Sequence, residues 1–209
     1  MRYLSHKRQR FLDSLKNVAI MYSYANQREQ LLISAGVLNS IWNLWNNFWR
    51  DYWIAHVSGG YDFGNNIIHP LYNGYNDKQS CHYLLYACNK RSNHLFGATI
   101  TGSHQEATWG DPNIISLIAI KMTPHHGSMA HLSGILGYYQ THLQHFQRIR
   151  NTLTHLNNEN VFHLNAIAGY YSFGADHRLI DILESVEISS STRCFNNLIN
   201  NMEGLVQNL

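Results

Sequence analysis

Large aromatic side chains recur at helical spacing through residues 37–57, and no other feature constrains the fold of this chain as strongly. The period places them on one face of an amphipathic helix. Because large aromatics dominate the burial of apolar surface, we expect this stripe to line a protein core. A stacking platform for nucleobases and a dimer interface are the alternatives. The stripe consists of Leu38, Ile41, Trp42, Trp45, Trp49, Tyr52 and Trp53.

The helical period is also present on either side of this segment. Residues 6–33 contain no Gly or Pro and carry apolar side chains at helical intervals, with a break expected at Gly36. Further along, Asp111 is placed to cap a helix whose first residue is Pro112, the position where proline is favoured. That helix, PNIISLIAIKM, is almost wholly apolar, which predicts that it is buried.

A longer apolar stripe runs through residues 129–155 and predicts a second long helix. Gly134 and Gly137 weaken it, which suggests close packing against a neighbouring element at these positions. Asn157 or Asn158 is expected to end this helix and to cap the next. With further helical segments towards residue 208, the pattern predicts an all-α fold, a helical bundle.

Residues 58–110 differ from the rest, since they are rich in Gly, Asn and Tyr, which favour turns. A short helix or a pair of strands is expected within residues 78–90, and a brief strand at residues 98–101. We interpret the segment as a loop-rich insertion of unassigned role. The predicted organisation is one domain over residues 1–209, with a helical pair at about 6–57, the insertion at about 58–110 and further helices at about 111–209.

The composition indicates a globular protein of the cytoplasm. The net charge of +2 permits contacts with phosphate but does not require them. Cys81, Cys88 and Cys194 are odd in number and form no C-x-x-C pair, as is usual in a reducing compartment. Asp13 and Lys16 interrupt the N-terminal region, so no signal peptide is expected. No apolar run approaches the roughly 18 residues that indicate a transmembrane helix, and no membrane association is predicted.

A cluster of polar residues, RIRNTLTHLNNEN, ends the second long helix. Asn151 and His155 lie four residues apart and share a helix face, which the long side chain of Arg150 can also reach. Such residues suit metal-independent RNA cleavage, in which the 2′-OH attacks the adjacent phosphorus and the 5′-oxygen leaves with a proton. Histidine transfers protons near neutral pH, arginine holds the phosphate, and asparagine orients either of them.

The motif R-N-x-x-x-H, formed by Arg150, Asn151 and His155, resembles the signature of the HEPN (higher eukaryote and prokaryote nucleotide-binding) superfamily. The long amphipathic helix that leads into it is similar too. The resemblance implies a HEPN-like bundle and a metal-independent endoribonuclease of a toxin–antitoxin or phage-defence system. It further implies that a homodimer forms one composite site, that an antitoxin or regulatory protein is a partner, and that Arg150, Asn151 and His155 are catalytic. We predict RNA contacts at Arg148 and Thr154, and no cofactor or metal.

Three alternatives compete with this hypothesis. A metal site is one, because six histidines crowd into residues 125–155, but there is no H-E-x-x-H motif and no carboxylate among them. The second is a non-catalytic helical module that binds RNA, nucleotides or a protein through the same polar cluster. The third is a structural helical dimer that depends on the tryptophan stripe alone. Nucleophilic catalysis has little support, since no G-x-S-x-G motif is present.

Overall fold

In a computed structural model of the protein, which describes residues 2–90, 105–155, 157–173 and 179–209, the chain is mostly helical. The only sheet among these residues has two strands, which pair antiparallel with Gly60 opposite Ile68. The expected all-α class is therefore confirmed. The elements are α1 (Leu4–Tyr24), α2 (Gln27–Ser58), β1 (Gly60–Tyr61), β2 (Ile67–Ile68), α3 (Asp77–Ala87), α4 (Pro112–Met122), α5 (Ser128–Thr154), α6 (Asn158–Ala168), a short 3-10 helix (Leu179–Leu183) and α7 (Cys194–Gln207).

The helix break expected at Gly36 is wrong. The boundary between α1 and α2 lies ten residues earlier in the chain. Asn26 and Glu29 form a reciprocal cap: the Asn26 side chain accepts from the Glu29 backbone at 3.1 Å, and the Glu29 carboxylate accepts from the Asn26 backbone at 2.9 Å. These bonds satisfy two of the unpaired N–H groups at the start of α2. Gly36 lies inside that helix with its Cβ position open, so nothing forces a break there.

Other local predictions are confirmed. The Asp111 side chain caps α4, accepting from the Asn113 backbone at 2.8 Å, and Pro112 occupies the first helical position. A helix, α3, occupies most of residues 78–90, whereas the strand expected at residues 98–101 lies outside the described residues. The expected close packing at Gly134 and Gly137 is wrong. Both are exposed, and no described heavy atom lies within 4 Å of the Cβ position of either one.

The chain divides into two compact units. Unit 1 comprises Met1–Phe11, Leu44–Tyr138 and Asn208–Leu209, and unit 2 comprises Leu12–Asn43 and Tyr139–Gln207. The interpretation of residues 1–209 as a single domain remains a prediction.

The core of unit 1 is built on the tryptophan stripe. Trp45, Trp49 and Trp53 are fully buried; the first two rings pack edge to face at 5.5 Å, and the last two stack at 5.4 Å. The core interpretation of these three residues is thus confirmed. The Trp45 indole N–H donates to the Gly110 carbonyl at 2.8 Å, and a Cβ atom on Gly110 would lie 2.2 Å from the Trp45 ring. Only glycine permits this approach.

A second link in unit 1 fixes the chain just before α4. The Glu106 carboxylate accepts two hydrogen bonds from Arg50, at 2.7 and 2.9 Å, and one from the Trp109 indole at 2.7 Å. Burial alone would raise the pKa of Glu106, but the bonds from Arg50 and Trp109 outweigh it, and the net pKa is lowered. A charged, bidentate pair of this kind holds the end of the 58–110 segment to α2.

In unit 2, helices α2 and α5 meet where the rings of Trp42 and Phe146 stack with centroids 5.7 Å apart. The face of α5 that carries Leu143, Phe146 and Ile149 is buried, as its apolar period predicts. Among the described residues, no helix combines the length and the apolar character needed to cross a bilayer.

Candidate functional site

The polar cluster identified in the sequence lies at the C-terminal end of α5, in unit 2. Helix α5 ends at Thr154, so His155 is the first residue beyond it. Along the last two turns the buried positions are Ile149 and Thr152, whereas Arg150 and Asn151 are half-buried and His155 is exposed. The helix thus carries its polar groups out of the core at its end, where backbone carbonyls lack helical partners.

Arg150 is held between two helices. Its Nε donates to Asn39 Oδ1 on α2 at 2.7 Å, and its Nη1 donates to Asn151 Oδ1 at 2.8 Å. Burial lowers the pKa of Arg150 from its ordinary value, but a guanidinium of such high pKa keeps its charge. These two bonds use two of its five N–H groups. Three N–H groups remain for a ligand, in a side chain whose orientation is already set.

His155 differs from Arg150 in its freedom. Its backbone N–H continues the helical pattern by donating to the Asn151 carbonyl at 2.8 Å. Its imidazole makes no hydrogen bond with any residue that the structure describes, and the side chain is exposed. The structure therefore joins the side chains of Arg150 and Asn151, whereas no hydrogen bond joins the His155 imidazole to either. The histidine is fixed at its backbone and accessible at its ring.

The turn between α5 and α6 explains why the backbone at His155 is fixed. The Asn157 side chain caps α6 by accepting from the Asn160 backbone at 2.8 Å. The Asn160 amide reaches back and donates to the His155 carbonyl at 2.6 Å, and the buried Thr152 hydroxyl lies 2.9 Å from the Asn160 carbonyl. The start of α6 thus satisfies the carbonyl of His155, which the end of α5 leaves open, and a hydroxyl of α5 donates to α6 in return. Much of the polar character of this stretch is accounted for by these caps.

The two residues predicted to contact RNA differ in their availability. The Thr154 hydroxyl donates to the Arg150 carbonyl at 2.8 Å, one helical turn back, so its proton is engaged within α5. Arg148 is half-buried, and its guanidinium makes no hydrogen bond with the described residues. Of this pair, Arg148 keeps its full set of donors for a phosphate, and Thr154 can only accept.

Two members of the cluster were missed by the sequence reasoning. Asn39 comes from α2, more than a hundred residues away in the chain, and nothing in its local sequence distinguishes it from the other asparagines of that helix. Asn160 did have a local signal, since it lies three residues after the cap Asn157, where a backbone N–H meets the capping side chain. The hydrogen bond from the Asn160 amide to the His155 carbonyl depends on the geometry of the turn, and no sequence pattern indicates it.

The histidines of α5 mostly bind protein groups. His142 Nε2 lies 2.9 Å from the carboxylate of Glu187, and His145 Nδ1 lies 3.0 Å from the hydroxyl of Tyr171. Burial lowers the pKa of His145 to about 4, so that ring is neutral at physiological pH. Within the described ranges, no group of three or more His, Cys, Asp or Glu side chains is placed to hold a metal ion.

No protein-family model, curated protein or solved structure matches the chain. The likeness to HEPN proteins therefore rests on the R-N-x-x-x-H residues and on the helices around them. The geometry adds that Arg150 and Asn151 are hydrogen-bonded to each other, beside an exposed His155.

Proposed function

We propose that the protein is a metal-independent endoribonuclease with a HEPN-type site at the end of α5. The observation that carries the proposal is the fixed orientation of Arg150. Hydrogen bonds to Asn39 and Asn151 anchor its guanidinium, which still has three N–H groups to donate. The exposed His155 follows five residues later. Positioned donors of this kind stabilise the charge that develops on a phosphate during cleavage, and they do so without reorganisation.

In the proposed reaction, Arg150 binds the non-bridging oxygens of the scissile phosphate, and Arg148 contacts a neighbouring phosphate. His155 transfers a proton, either from the attacking 2′-OH or to the leaving 5′-oxygen. Asn151 fixes the orientation of Arg150 through its side-chain oxygen. Each correctly placed proton transfer accelerates a reaction by roughly 10²–10⁴-fold. The products are a 2′,3′-cyclic phosphate and a 5′-OH.

One such cluster supplies a single histidine, whereas the reaction needs both an acid and a base. We therefore include a homodimer in the proposal, in which two copies bring their His155 rings to one RNA. The exposure of His155 supports this arrangement, because a ring without hydrogen bonds to the described residues is free to face a second copy. A toxin–antitoxin or phage-defence setting, with a neutralising partner, is proposed on the family resemblance alone.

The test is cleavage of an RNA pool in EDTA by the wild-type protein, with identification of the product ends. His155→Ala and Arg150→Ala are expected to lose at least 10²-fold in rate while remaining folded. Matched controls are His163→Ala on α6 and Arg193→Ala, both of which lie in unit 2 outside the cluster and pair with glutamates. Cleavage that survives in both site variants, or that requires a divalent metal, would contradict the proposal.

The dimer is tested by mixing. Excess His155→Ala protein, incubated with wild type, should suppress activity below simple dilution, because mixed dimers carry only one histidine. A strictly additive loss, with a monomeric mass in light scattering, would exclude the composite site.

A non-catalytic RNA-binding module is the second candidate, and one observation favours it. Within the described residues, His155 has no side-chain partner that could orient it or share its proton. Under this alternative, Arg148 and Arg150 bind phosphates without turnover. Three results together would favour the binding module over the enzyme. Wild type would cleave no RNA, Arg150→Ala would lose RNA binding, and His155→Ala would bind RNA as wild type does.

A further inference from the structure

Unit 1 contains a cavity that the proposed ribonuclease site does not use. Its volume is about 410 Å³, within the range of small-molecule sites, and it is open to solvent. Its walls come from α2, from the segment around the β1–β2 hairpin and from the turn before α5, together with Leu4 of α1 and Leu209. The lining residues that matter to its chemistry are Tyr52, His56, Asp62, Phe63 and His126.

His56 presents a hydrogen-bond acceptor in this cavity. The residue is only 3% exposed, and its Nδ1 lies 2.9 Å from the Tyr52 carbonyl, one turn back in α2. A carbonyl only accepts, so Nδ1 carries the proton and Nε2 keeps its lone pair. Burial lowers the pKa of His56 to about 4, which keeps the ring neutral. Nε2 makes no hydrogen bond with the residues described by the structure.

His126 supplies a second acceptor by the same logic. Its Nε2 lies 3.0 Å from the backbone carbonyl of His56, so Nε2 is the protonated nitrogen and Nδ1 is the acceptor. The two imidazoles meet edge to face with centroids 5.1 Å apart. Burial lowers the pKa of His126 as well. Backbone carbonyls thus fix both tautomers, and neither remaining nitrogen has a partner in the described part of the chain.

Tyr52 adds a donor and an aromatic wall. Its side chain is only 3% exposed, and its hydroxyl, which makes no hydrogen bond with the described residues, remains accessible from the cavity. Buried tyrosines usually pair this group. The Tyr52 and Phe63 rings lie nearly parallel, with an interplanar angle of 18° and centroids 6.0 Å apart. A ligand in the cavity meets the half-buried Phe63 ring at the wall and has three polar groups to satisfy.

The charged groups at the cavity are already engaged. The Asp62 carboxylate accepts from the backbone of Gly64 at 2.8 Å and from the backbone and amide of Asn66, at 2.7 and 3.0 Å. The Arg8 guanidinium covers the Phe63 ring at 4.5 Å. Among the side chains named above, those with free hydrogen-bonding capacity are therefore the uncharged ones. This favours a neutral ligand over an amine or an anion.

From this arrangement we propose that the cavity binds a small, uncharged heteroaromatic ring with an amino group beside a ring nitrogen, as in adenine. The amino group donates to His56 Nε2 and His126 Nδ1, and the ring nitrogen accepts from the Tyr52 hydroxyl. The ring lies against Phe63 at the wall of the cavity. This proposal does not depend on the proposed RNA cleavage, and the two are tested separately.

The experiment is calorimetric titration of the full chain with adenine and with 6-methylpurine, in EDTA at pH 7.5. The methyl group matches the amino group in size but donates nothing, so adenine should bind at least about tenfold more tightly. Tyr52→Phe should weaken adenine binding about tenfold. It should leave the unfolding temperature unchanged or higher, because the hydroxyl has no protein partner to lose.

Tyr83→Phe is the matched control, since Tyr83 is a buried tyrosine of the same unit outside the cavity, and it should bind adenine as wild type does. Equal affinity for the two purines would overturn the proposal, as would adenine binding that Tyr52→Phe leaves intact. Absence of adenine binding at millimolar concentration would overturn it too. Displacement of adenine by guanidinium or ethylammonium would instead identify a cation site and contradict the neutral ligand.

Discussion

Arg150 and Asn39 are joined by a 2.7 Å hydrogen bond between the guanidinium Nε and the amide oxygen, across 111 residues of sequence. This bond ties the end of α5 to the middle of α2. An arginine side chain loses considerable rotamer freedom when it binds a phosphate, and here part of that loss has occurred in folding. Asn39 is therefore a positioning residue for the proposed site.

Replacing Asn39 tests this role. Asn39→Ala removes the acceptor but leaves the charge of Arg150, so we expect the cleavage rate to fall about tenfold, equivalent to one hydrogen bond of roughly 1.4 kcal/mol. The measurement is single-turnover cleavage at saturating protein. Asn43→Ala, an exposed asparagine one turn further along α2, should cleave normally.

The Asn39 effect must act through Arg150. In an Arg150→Ala background, Asn39→Ala should cause no further loss, because the group that it positions is gone. Additive losses in the double variant would show instead that Asn39 acts on its own.

Two glycine substitutions should change stability in opposite directions. Gly110→Ala places a Cβ 2.2 Å from the Trp45 ring, and we expect a loss of about 1–3 kcal/mol in the free energy of unfolding from overpacking. Gly134→Ala adds a methyl group at an exposed helical position with no described atom within 4 Å, so it should gain up to about 1 kcal/mol. Urea denaturation followed by tryptophan fluorescence measures both changes. A destabilised Gly134→Ala would mean that its surroundings are not open.

Acid should destabilise the protein between pH 6.5 and pH 4 through its buried histidines. The folded pKa of His56 is about 4 because of burial, whereas the unfolded value is about 6.5. Since the folded pKa is depressed, the unfolded state alone takes up a proton in this window, and stability falls as the pH falls. At pH 5 the expected loss is on the order of 2 kcal/mol for this group. His145, with a folded pKa also about 4, adds a similar loss in unit 2.

The measurement is the unfolding free energy at pH 7.5 and pH 5.0 in wild type and His56→Asn. Asparagine does not titrate, so the difference between the two pH values should shrink by about 2 kcal/mol in the variant, whatever its absolute stability. An unchanged difference would show that His56 has the same pKa in the folded and unfolded states.

Glu187 is expected to be the most sensitive acidic residue of unit 2. Its buried carboxylate accepts from Ser190, from Asn197 at 2.9 Å and from His142 at 2.9 Å. Burial would raise its pKa, but the bonds from Ser190 and His142 dominate and lower it. Glu187→Ala leaves the buried Asn197 amide without this acceptor, and we expect a loss of about 3 kcal/mol in the free energy of unfolding.

The comparison variant for Glu187 is Glu203→Ala on α7. Glu203 accepts only one exposed bond, from Gln207 four residues on, which is worth about 0.5 kcal/mol or less. In thermal unfolding, Glu187→Ala should lower the Tm clearly more than Glu203→Ala does. Similar losses would mean that the buried network contributes little.

The helices could be predicted from the sequence because their signals are local. The apolar period of α5, the Asp111–Pro112 start of α4 and the Asn157 cap of α6 each lie within a few residues of the structure they specify. The α1–α2 boundary was missed even though its signal, the Asn26–Glu29 capping box, is also local. Gly36 does not mark the boundary, because an exposed glycine is tolerated inside a long helix.

Only part of the candidate site could be predicted from the sequence, and the reason is physical. Arg150, Asn151 and His155 are neighbours in sequence, so a motif can indicate them. Asn39 reaches Arg150 only because α2 and α5 pack together, and that contact depends on tertiary structure. The cavity around His56 is of the same kind, since its walls come from five separate segments of the chain.

The hydrogen bonds between Asn160 and the end of α5 couple the opening of two helix ends, the last turn of α5 and the first turn of α6. Helix ends normally open first, but here two hydrogen bonds join the two ends: the Asn160 amide donates to the His155 carbonyl, and the Thr152 hydroxyl donates to the Asn160 carbonyl. The backbone amides of His155 and Asn160 should therefore exchange with solvent at a common, slowed rate, as one cooperative unit. Any ligand that stabilised the start of α6 would in the same step hold the backbone of His155 in place.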